Sequence, residues 1–270
     1  MKKKIILVTG GAGFVGSNLI KLLLLKSKFN IISLDNYSSG SKKNHLKSRR
    51  VKYLNGETKD VKKLIKQPNN IHSVFHFGEF ARIYQSFLKM NECIESNTIG
   101  TNSIFSFCLE NKIKLIYSAT SASLGNKGND KNLSPYAFSK AKNLEYLENL
   151  KKWFDFKYEV VYFYNVYGPG QISKGNMATV IGIFEDALRR KKALPVVLPG
   201  TQSRRFTHID DTVNICFLAW KKNLSRHYSI SNKKSYTILE VAKMFKTRIK
   251  FLKKRPGERY ASALANMNLS

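Results

Sequence analysis

The chain has 270 residues, 43% of them apolar and 12% aromatic, which suits one large α/β domain or two interleaved lobes. No run of about 18 uninterrupted apolar residues occurs, which argues against a membrane span, and three widely spaced cysteines indicate reduced packing residues rather than disulfides or a metal site. The net charge of +29 would suit a polyanionic partner. The basic residues are nevertheless scattered, so we expect a solvated basic surface rather than a nucleic-acid partner, with weak nonspecific nucleic-acid binding at low salt as the alternative. The cysteine spacing predicts no metal site.

Short apolar runs alternate with segments of helical periodicity through the first two thirds of the chain. Strands are predicted at 4–9, 30–34, 51–54, 72–77, 113–118 and 157–163. Helices are predicted at 14–27, 59–67, 93–111 and 135–154, and later at 176–191 and 209–222. A small last unit comprises a strand near 227–230, a helix at 237–246 and a strand at 248–252. This alternation predicts a parallel sheet with helices on both faces.

The first strand and helix are separated by a glycine turn with Gly10, Gly13 and Gly16. Gly10 permits a tight turn, Gly13 lets the backbone approach a pyrophosphate, and Gly16 lets the helix pack against the strand. The free N–H groups at the helix start then face the anion. The pattern therefore predicts a dinucleotide site.

Asp35 ends the second predicted strand, roughly 20 residues beyond the glycines, where a carboxylate can bind an adenosine ribose and repel a 2′-phosphate. It favours NAD over NADP. The alternative is a turn aspartate, because a polar loop follows, in which Lys42 and Lys43 could meet a phosphate.

Tyr136 and Lys140 lie four residues apart on a predicted helix and therefore on one face. A lysine ammonium and a positive nicotinamide can together lower a tyrosine pKa by roughly 3 units, which takes about 4 kcal/mol. Ser134-Pro135 marks the helix start, and a hydroxyl-rich strand end, Tyr117–Ser121, precedes it. Strand ends of this kind bind ligands in parallel sheets.

In combination these motifs resemble the extended short-chain dehydrogenases/reductases, in the nucleotide-sugar epimerase/dehydratase group that includes UDP-glucose 4-epimerase. The likeness runs from Ile5 to about Gly257. The motifs that carry it are Thr9–Gly16, Val74–Gly78, Asn97–Thr101, Tyr117–Gly125, Tyr136–Lys140, Tyr164–Gly170 and Arg204–Asp211.

The resemblance implies a role for each matching residue. The catalytic set would be a base, its electrostatic partner and ribose ligand, and a hydroxyl on the proton path: Tyr136, Lys140 and Thr120. The NAD-binding residues would be Gly10, Gly13, Phe14, Val15, Gly16, Asp35, Asn36, Phe77, Gly78, Ser118, Tyr136, Lys140 and Phe163. The substrate-binding residues would be Thr120, Asn165, Asn176, Arg204 and Arg255, with the two arginines clamping a diphosphate.

The predicted fold class is α/β, a Rossmann-type doubly wound parallel sheet with a smaller, interleaved C-terminal substrate lobe. Residues 1–165 would form the NAD-binding domain, with 205–225 returning to it, and 166–270 would form mainly the substrate lobe. Family members usually continue for several dozen residues beyond this point, so we expect a lobe short at its C-terminus. We also expect the protein to be a cytoplasmic enzyme and to form a homodimer through the helices at 93–111 and 135–154.

Some positions depart from the family pattern. Glu79 replaces the second alanine of a His-x-Ala-Ala motif and puts an unusual carboxylate near the cofactor, and a lysine found soon after in some epimerases is Ala81, beside Arg82. Leu124 stands where tyrosine is common. None of these changes removes the catalytic set, and His76 and His208 are interpreted as structural.

The leading interpretation is an NAD-dependent epimerase of a nucleotide-diphosphate sugar. A dehydratase would carry Asp-Glu after Thr120, where this chain has Ser121-Ala122. A reductase of the GDP-fucose synthase kind would want a cysteine in the strand motif. A non-catalytic NAD sensor or nucleic-acid-associated protein is the alternative from another class, which the charge favours and the intact Thr120, Tyr136 and Lys140 oppose.

Overall fold

The computed structural model describes residues 4–124 and 126–257. Its first part alternates strands and helices in the order β1 (Ile5–Thr9), α1 (Phe14–Lys26), β2 (Asn30–Asp35), β3 (Val51–Asn55), α2 (Val61–Leu64), β4 (Ile71–His76), α3 (Ile83–Leu88), α4 (Met90–Ile94), α5 (Thr101–Glu110), β5 (Lys114–Thr120), α6 (Pro135–Phe154) and β6 (Tyr158–Phe163). The remainder comprises β7 (Val166–Tyr167), α7 (Val180–Arg189), β8 (Leu194–Val197), β9 (Ser203–Arg204), β10 (Thr207–His208), α8 (Ile209–Lys221), β11 (His227–Ser229), β12 (Tyr236–Thr237), α9 (Ile238–Met244) and β13 (Ile249–Leu252).

Seven strands form one parallel sheet in the order β11-β6-β5-β4-β1-β2-β3. The chain first builds outward from β1 through β2 to β3 and then returns to the other side of β1 with β4. The strand order therefore reverses between β1 and β4, and ligands of such sheets bind at that point, beyond the carboxyl ends of the strands. The predicted fold class is confirmed.

Helices cover both faces of the sheet with apolar side chains. On one face, α5 and α6 pack against the strands through residues such as Phe105 and Leu147. On the other face, α1 and α8 pack through residues such as Leu23 and Val213. A third, smaller core lies between α7, β8 and α9 and holds together the C-terminal lobe. Among the described residues, no helix is long and apolar enough to cross a membrane.

Most predicted elements begin and end within two residues of the observed ones, but three helices differ. The helix predicted at 176–191 is α7, which begins only at Val180, because the Thr179 hydroxyl caps it by accepting from the Gly182 N–H at 3.1 Å. The helix predicted at 59–67 is a short 3-10 turn followed by the four residues of α2, and the backbone becomes extended at Ile65, with φ −100° and ψ 90°. Gln67 could not have been helical, because a residue before proline is disfavoured in the helical region. The helix predicted at 93–111 is interrupted by a π-helical segment, Glu95–Gly100, between α4 and α5. Segments of this kind occur often at functional sites.

The chain returns to the main sheet after α8. The Lys114 ammonium donates to the carbonyl oxygens at the end of α8, including that of Trp220 at 2.9 Å, as suits the negative end of a helix. The buried Glu159 carboxylate accepts from the backbone N–H groups of Leu224 at 2.8 Å and Arg226 at 3.0 Å. These contacts fix the turn that leads into β11, so the return extends past residue 225 to Ser229.

Candidate active site

A cleft of about 850 Å³ lies over the carboxyl ends of β1, β2, β4, β5 and β6 and reaches into the C-terminal lobe. The predicted site residues that line it are Gly10, Gly13, Phe14, Val15, Gly16, Asp35, Asn36, Phe77, Gly78, Ser118, Thr120, Tyr136, Lys140, Phe163, Asn165, Arg204 and Arg255. Asn176 is exposed and lies outside this lining, although Met177 belongs to it. The fold therefore brings the ends of separate strands into one ligand-sized cavity.

The glycine turn is packed too closely for side chains. Gly10 has a φ of +68°, and a Cβ there would lie 2.8 Å from the backbone of Phe77 and Gly78. A Cβ on Gly16 would lie 2.1 Å from the Gly10 carbonyl oxygen. The α1 helix begins after Gly13 without a side-chain cap. The turn and the helix N-terminus thus form a cradle that suits a pyrophosphate.

Asp35 is buried at the end of β2 and holds the glycine turn in place. Its carboxylate accepts from the N–H of Ala12 at 2.9 Å and from that of Tyr37 at 2.8 Å. Burial raises the pKa of Asp35, and the backbone N–H groups partly oppose this. Next to it on the cleft wall, the Asn36 amide donates to Glu57 at 3.1 Å.

Tyr136 lies in the first turn of α6, directly above the end of β5. The Ser134 hydroxyl caps this helix by accepting from the Ala137 N–H at 3.1 Å, and Pro135 occupies the first turn. The Thr120 hydroxyl accepts from the Ala122 N–H at 3.1 Å, which orients its proton toward the Tyr136 phenol, to which it is hydrogen-bonded. Burial raises the pKa of Tyr136 to about 12, against the lowering effect of that hydrogen bond.

Lys140 follows one turn later and is almost completely buried. Its ammonium donates to the Ser118 carbonyl oxygen and to the Glu79 carboxylate, and it lies 4.3 Å from the centre of the Tyr117 ring. Burial lowers the pKa of Lys140, and Glu79 opposes that change. The catalytic pair of the sequence prediction therefore has a third charged member.

Two aromatic rings bound the cleft between β4 and β6. Phe77 and Phe163 pack edge to face with their centres 5.3 Å apart, and both line the cavity. The Ser118 hydroxyl beside them donates to the His76 carbonyl oxygen at 3.0 Å. His76 itself is fully buried between strands, consistent with the structural role predicted for it.

The far end of the cleft belongs to the C-terminal lobe. Arg204 is buried on β9 and donates to the Ser203 carbonyl oxygen at 2.8 Å. Arg255 is exposed and stacks over the Tyr84 ring at 5.0 Å. Asn165 donates through its side-chain amide to the Arg205 carbonyl oxygen at 2.8 Å. Two guanidinium groups of the C-terminal lobe thus line the same cavity as the glycine turn.

The sequence interpretation gave no role to Arg82, which also lines the cleft. Its Nε donates to the Met177 carbonyl oxygen at 2.9 Å and one Nη donates to that of Ala81 at 2.7 Å, so it joins the first lobe to the second. The segment that carries Arg82 is clamped by Asn97, whose side chain accepts from the Phe80 N–H at 2.7 Å and donates to the Phe80 carbonyl oxygen at 3.0 Å.

Asn143 was missed as well. It is buried on α6, and its amide lies 3.3 Å from Glu79 and 3.1 Å from the Tyr117 hydroxyl. The signal was present, because Tyr136, Lys140 and Asn143 are spaced four and three residues apart and share one helix face.

Comparison with known proteins agrees with this geometry. Residues 6–231 match the NAD dependent epimerase/dehydratase family. The chain belongs to this family. It is 31% identical over 259 residues to the ADP-L-glycero-D-manno-heptose-6-epimerase of Brachyspira hyodysenteriae, covering 89% of this chain and 80% of that protein.

Solved structures share the whole fold. The UDP-N-acetylglucosamine 4-epimerase of Methanobrevibacter ruminantium M1, solved with UDP-N-acetylmuramic acid, is 26% identical, with a TM-score of 0.87 over 99% of this chain and 91% of that chain. The UDP-glucose 4-epimerase of Thermotoga maritima, solved with UDP-glucose, has a TM-score of 0.87 over 98% of this chain and 90% of that chain, at 24% identity. The second likeness concerns the fold alone.

The cofactor of this family is NAD, and the residues of the cleft fit it. The glycine cradle would accept the pyrophosphate, and a Cβ at Gly10 or Gly16 would fill the space that the turn needs. Asp35, Phe77 and Phe163 line the same cleft as the glycine cradle.

Proposed function

We propose that this protein is an NAD-dependent epimerase of a nucleotide-diphosphate sugar, which acts by transient oxidation to a keto-sugar and re-reduction. The observation that carries the proposal is that one continuous cleft is lined by the glycine cradle, by Thr120, Tyr136 and Lys140, and by Arg204 of the C-terminal lobe. Family members named as epimerases of ADP-linked and UDP-linked sugars support this substrate class.

Bound NAD supplies a carbon that accepts and returns hydride. Tyr136, as phenolate, takes the proton of the sugar hydroxyl while the carbon that bears it is oxidised, and the Thr120 hydroxyl stabilises the phenolate by donating to it. When the carbonyl is reduced on its other face, Tyr136 returns the proton to the oxygen. The cofactor and the tyrosine both end in their starting states, as an isomerisation requires.

Inversion needs the keto-sugar to turn while its nucleotide stays in place. A diphosphate held by Arg204, with Arg255 as a second cation, would provide that fixed point, because a planar guanidinium binds phosphate oxygens through two N–H groups. Asn165 would contact the sugar-nucleotide between these cations and Tyr136. Asn176 is exposed, so its proposed contact would require the segment before α7 to close over the substrate.

A dehydratase needs an additional acid to expel water. Among the described residues that line the cleft, Glu79 is the carboxylate that interacts with Tyr136, and its oxygens already accept bonds from Lys140 and from neighbouring side chains. Ser121 and Ala122, which follow Thr120, supply no acid. These features favour the epimerase.

The test is incubation of the NAD-loaded protein with UDP-, ADP- and dTDP-linked hexoses, followed by separation of the products and NMR. We expect an epimer of the same mass to form without accumulation of NADH. A product lighter by one water, or no turnover of any nucleotide sugar, would contradict the proposal.

NAD preference over NADP is expected to depend on Asp35. We expect Asp35→Ala to narrow the ratio of the two affinities, because the alanine no longer repels a 2′-phosphate. Calorimetric titration of both cofactors into wild type and variant measures this. Tighter binding of NADP than of NAD by the wild type would contradict it.

The diphosphate clamp can be tested with Arg204→Ala. A charge-assisted contact contributes about 1.5–3 kcal/mol, so sugar-nucleotide affinity should fall roughly ten- to hundredfold while NAD affinity stays unchanged. Lysine should restore only part of the affinity, because it cannot bind two oxygens with fixed geometry. Arg189→Ala, at an exposed position of α7 outside the cleft, is the matched control. Equal affinities in wild type and Arg204→Ala would remove Arg204 from the site.

The division into an NAD-binding domain and a substrate lobe is part of this proposal. A homodimer is proposed through the helices predicted at 93–111 and 135–154, the second of which is α6. Large apolar side chains on these segments are exposed, among them Ile99 and Phe138, as suits a face that another copy covers.

A further inference from the structure

Glu79 is a buried carboxylate to which the proposed mechanism gives no role. Its side chain is 3% exposed and forms an ion pair with the Lys140 ammonium, which is 4% exposed. The two residues are 61 positions apart in sequence. Burying two charges is unfavourable unless they are paired and fully hydrogen-bonded, so an arrangement of this kind requires a specific set of partners.

Those partners all donate to Glu79. Its Oε1 accepts from the Thr101 hydroxyl at 2.9 Å, from the Tyr117 hydroxyl at 3.0 Å and from the Asn143 amide at 3.3 Å, while Oε2 accepts from Lys140. With three donors on Oε1 and the Lys140 ammonium on Oε2, Glu79 is the acceptor and counter-charge of this network.

The network continues to the strand that precedes the glycine turn. Because the Thr101 hydroxyl donates to Glu79, it must accept from Nε2 of His76, which lies 3.0 Å away. Nδ1 of His76 then accepts from the Thr9 hydroxyl at 2.7 Å. Burial lowers the pKa of His76 to about 4, so the ring is neutral and transmits orientation without adding charge. The hydrogen bonds from Thr9 through His76 and Thr101 therefore all donate in one direction, toward Glu79.

At the other end of this network, Glu79 limits the hydrogen bonds that the Lys140 ammonium can make. Two of the three ammonium N–H groups are used by Glu79 and by the Ser118 carbonyl oxygen. The remaining one is available to the cleft, which Lys140 lines. The carboxylate thus orients the lysine toward the cofactor side.

We propose that Glu79 is a positioning residue and counter-charge for Lys140. Glu79 fixes the position of the ammonium and disfavours the loss of the first proton from the Tyr136–Lys140 pair. This rests on the proposed function only in naming Tyr136 as the base. The ionisable groups that face the pair, from the segment after β4, from β4, α4 and β5, are Glu79, Arg82, His76, Cys93 and Tyr117.

Among these described groups, Glu79 is the one carboxylate. His76 is neutral, and burial raises the pKa of Cys93 to about 11 and that of Tyr117 well above its usual value. The positive charge of Arg82 acts in the opposite direction on Tyr136.

The sign of the effect does not depend on which member of the pair loses the proton. A tyrosine and a lysine this close titrate as a unit, and the active form is the pair that has lost one proton. A negative charge nearby disfavours that loss whether the proton leaves the phenol or the ammonium. Removing the charge therefore lowers the first pKa of the pair, by about 1 unit or more for a contact of this kind.

The experiment compares the pH dependence of kcat/KM in wild type, Glu79→Gln and Glu79→Ala. We expect the acid limb to move to lower pH by about 1 unit or more in both variants. Either variant suffices if the other does not fold, and alanine is the residue that the family pattern carries there. Glu79→Asp keeps the charge, so its acid limb should stay closer to that of wild type. Glu110→Gln, which removes a carboxylate from an exposed pair with Lys62, should leave the limb unchanged.

A second measurement needs no sugar substrate. Calorimetry of NAD binding at about pH 8, in two buffers of different ionisation enthalpy, gives the number of protons released. We expect more protons to be released by Glu79→Gln than by wild type, because its pair titrates closer to that pH once the positive nicotinamide is bound.

An acid limb that does not move in any folded variant, together with equal proton release, would overturn the proposal. A shift in proton release in a protein that turns over no nucleotide sugar would support the role of Glu79 and contradict the proposed function. The two proposals can therefore fail separately.

Discussion

Replacement of Tyr136 by phenylalanine is expected to lower kcat by about 10²–10⁴-fold, the usual loss when a positioned general base is removed. The phenylalanine ring can still fill the buried space in the first turn of α6, while the oxygen that interacts with Thr120 is lost. NAD affinity should change little, because the substitution leaves the glycine cradle after β1 and Asp35 at the end of β2 unchanged.

Steady-state kinetics with the epimerised sugar and calorimetric titration of NAD measure the two effects separately. Tyr146→Phe is the matched control, since this tyrosine lies on the same helix, packs against Phe105 and is outside the cleft lining. A Tyr136→Phe variant with near-normal kcat would mean that the base is another group.

The pH dependence of the rate should also show that Tyr136 is the base. Burial raises the pKa of Tyr136 to about 12 in the protein alone, so the phenol is protonated at neutral pH and must lose a proton to act. Lys140 and a positive nicotinamide favour that loss. The rate of the wild type should therefore rise with pH on the acid side, and the Phe variant should lack this dependence.

The second large effect is expected from Gly10→Ala. A φ of +68° disfavours any residue with a Cβ, by about 1–2 kcal/mol. The new Cβ would also lie 2.8 Å from backbone atoms of Phe77 and Gly78, which side-chain motion cannot relieve. Overpacking of this kind destabilises by about 1–3 kcal/mol. We expect the free energy of unfolding to fall by about 3 kcal/mol in total.

NAD affinity should fall at least about tenfold in the folded fraction, because the cradle must move away from β4 to accommodate the methyl group. Gly175→Ala is the control, since Gly175 also has a positive φ, of +75°, but its Cβ would meet nothing within 4 Å. Urea unfolding and NAD titration of both variants give the comparison. Equal losses in the two variants would mean that backbone strain alone, and not the close approach, makes Gly10 necessary.

Local patterns in the sequence were sufficient for much of the scaffold. The alternation of apolar runs with helical periodicity predicted every strand of the main sheet, because buried parallel strands are short apolar segments between helices. Ser134-Pro135 predicted the start of α6 correctly, since a capping hydroxyl and a proline in the first turn act within a few residues. Gly10–Gly16 predicted the cradle for the same reason.

Features that depend on contacts with distant parts of the same chain could not be predicted from local sequence patterns. The π-helical segment Glu95–Gly100 arises where α5 must pass close to Thr58, and a Cβ on Gly100 would lie 2.3 Å from the Thr58 hydroxyl oxygen. Arg82 reaches Met177, 95 positions away, to join the two lobes. Neither contact leaves a periodic trace in the sequence.

The sequence by itself determined the alternation of strands and helices, the glycine turn, and the placement of Tyr136 and Lys140 on one helix face, because each depends on residues within one turn or one strand–helix unit. Only the tertiary structure decided that Glu79 pairs with Lys140, that Asn97 holds the backbone of Phe80, and that Asn176 lies outside the cleft lining. The physical reason is that buried charges and amides take their partners from whichever strand ends and helix faces the sheet order brings together. Hydrogen bonds and ion pairs across 61 residues are set by that packing, and local periodicity contains no information about it.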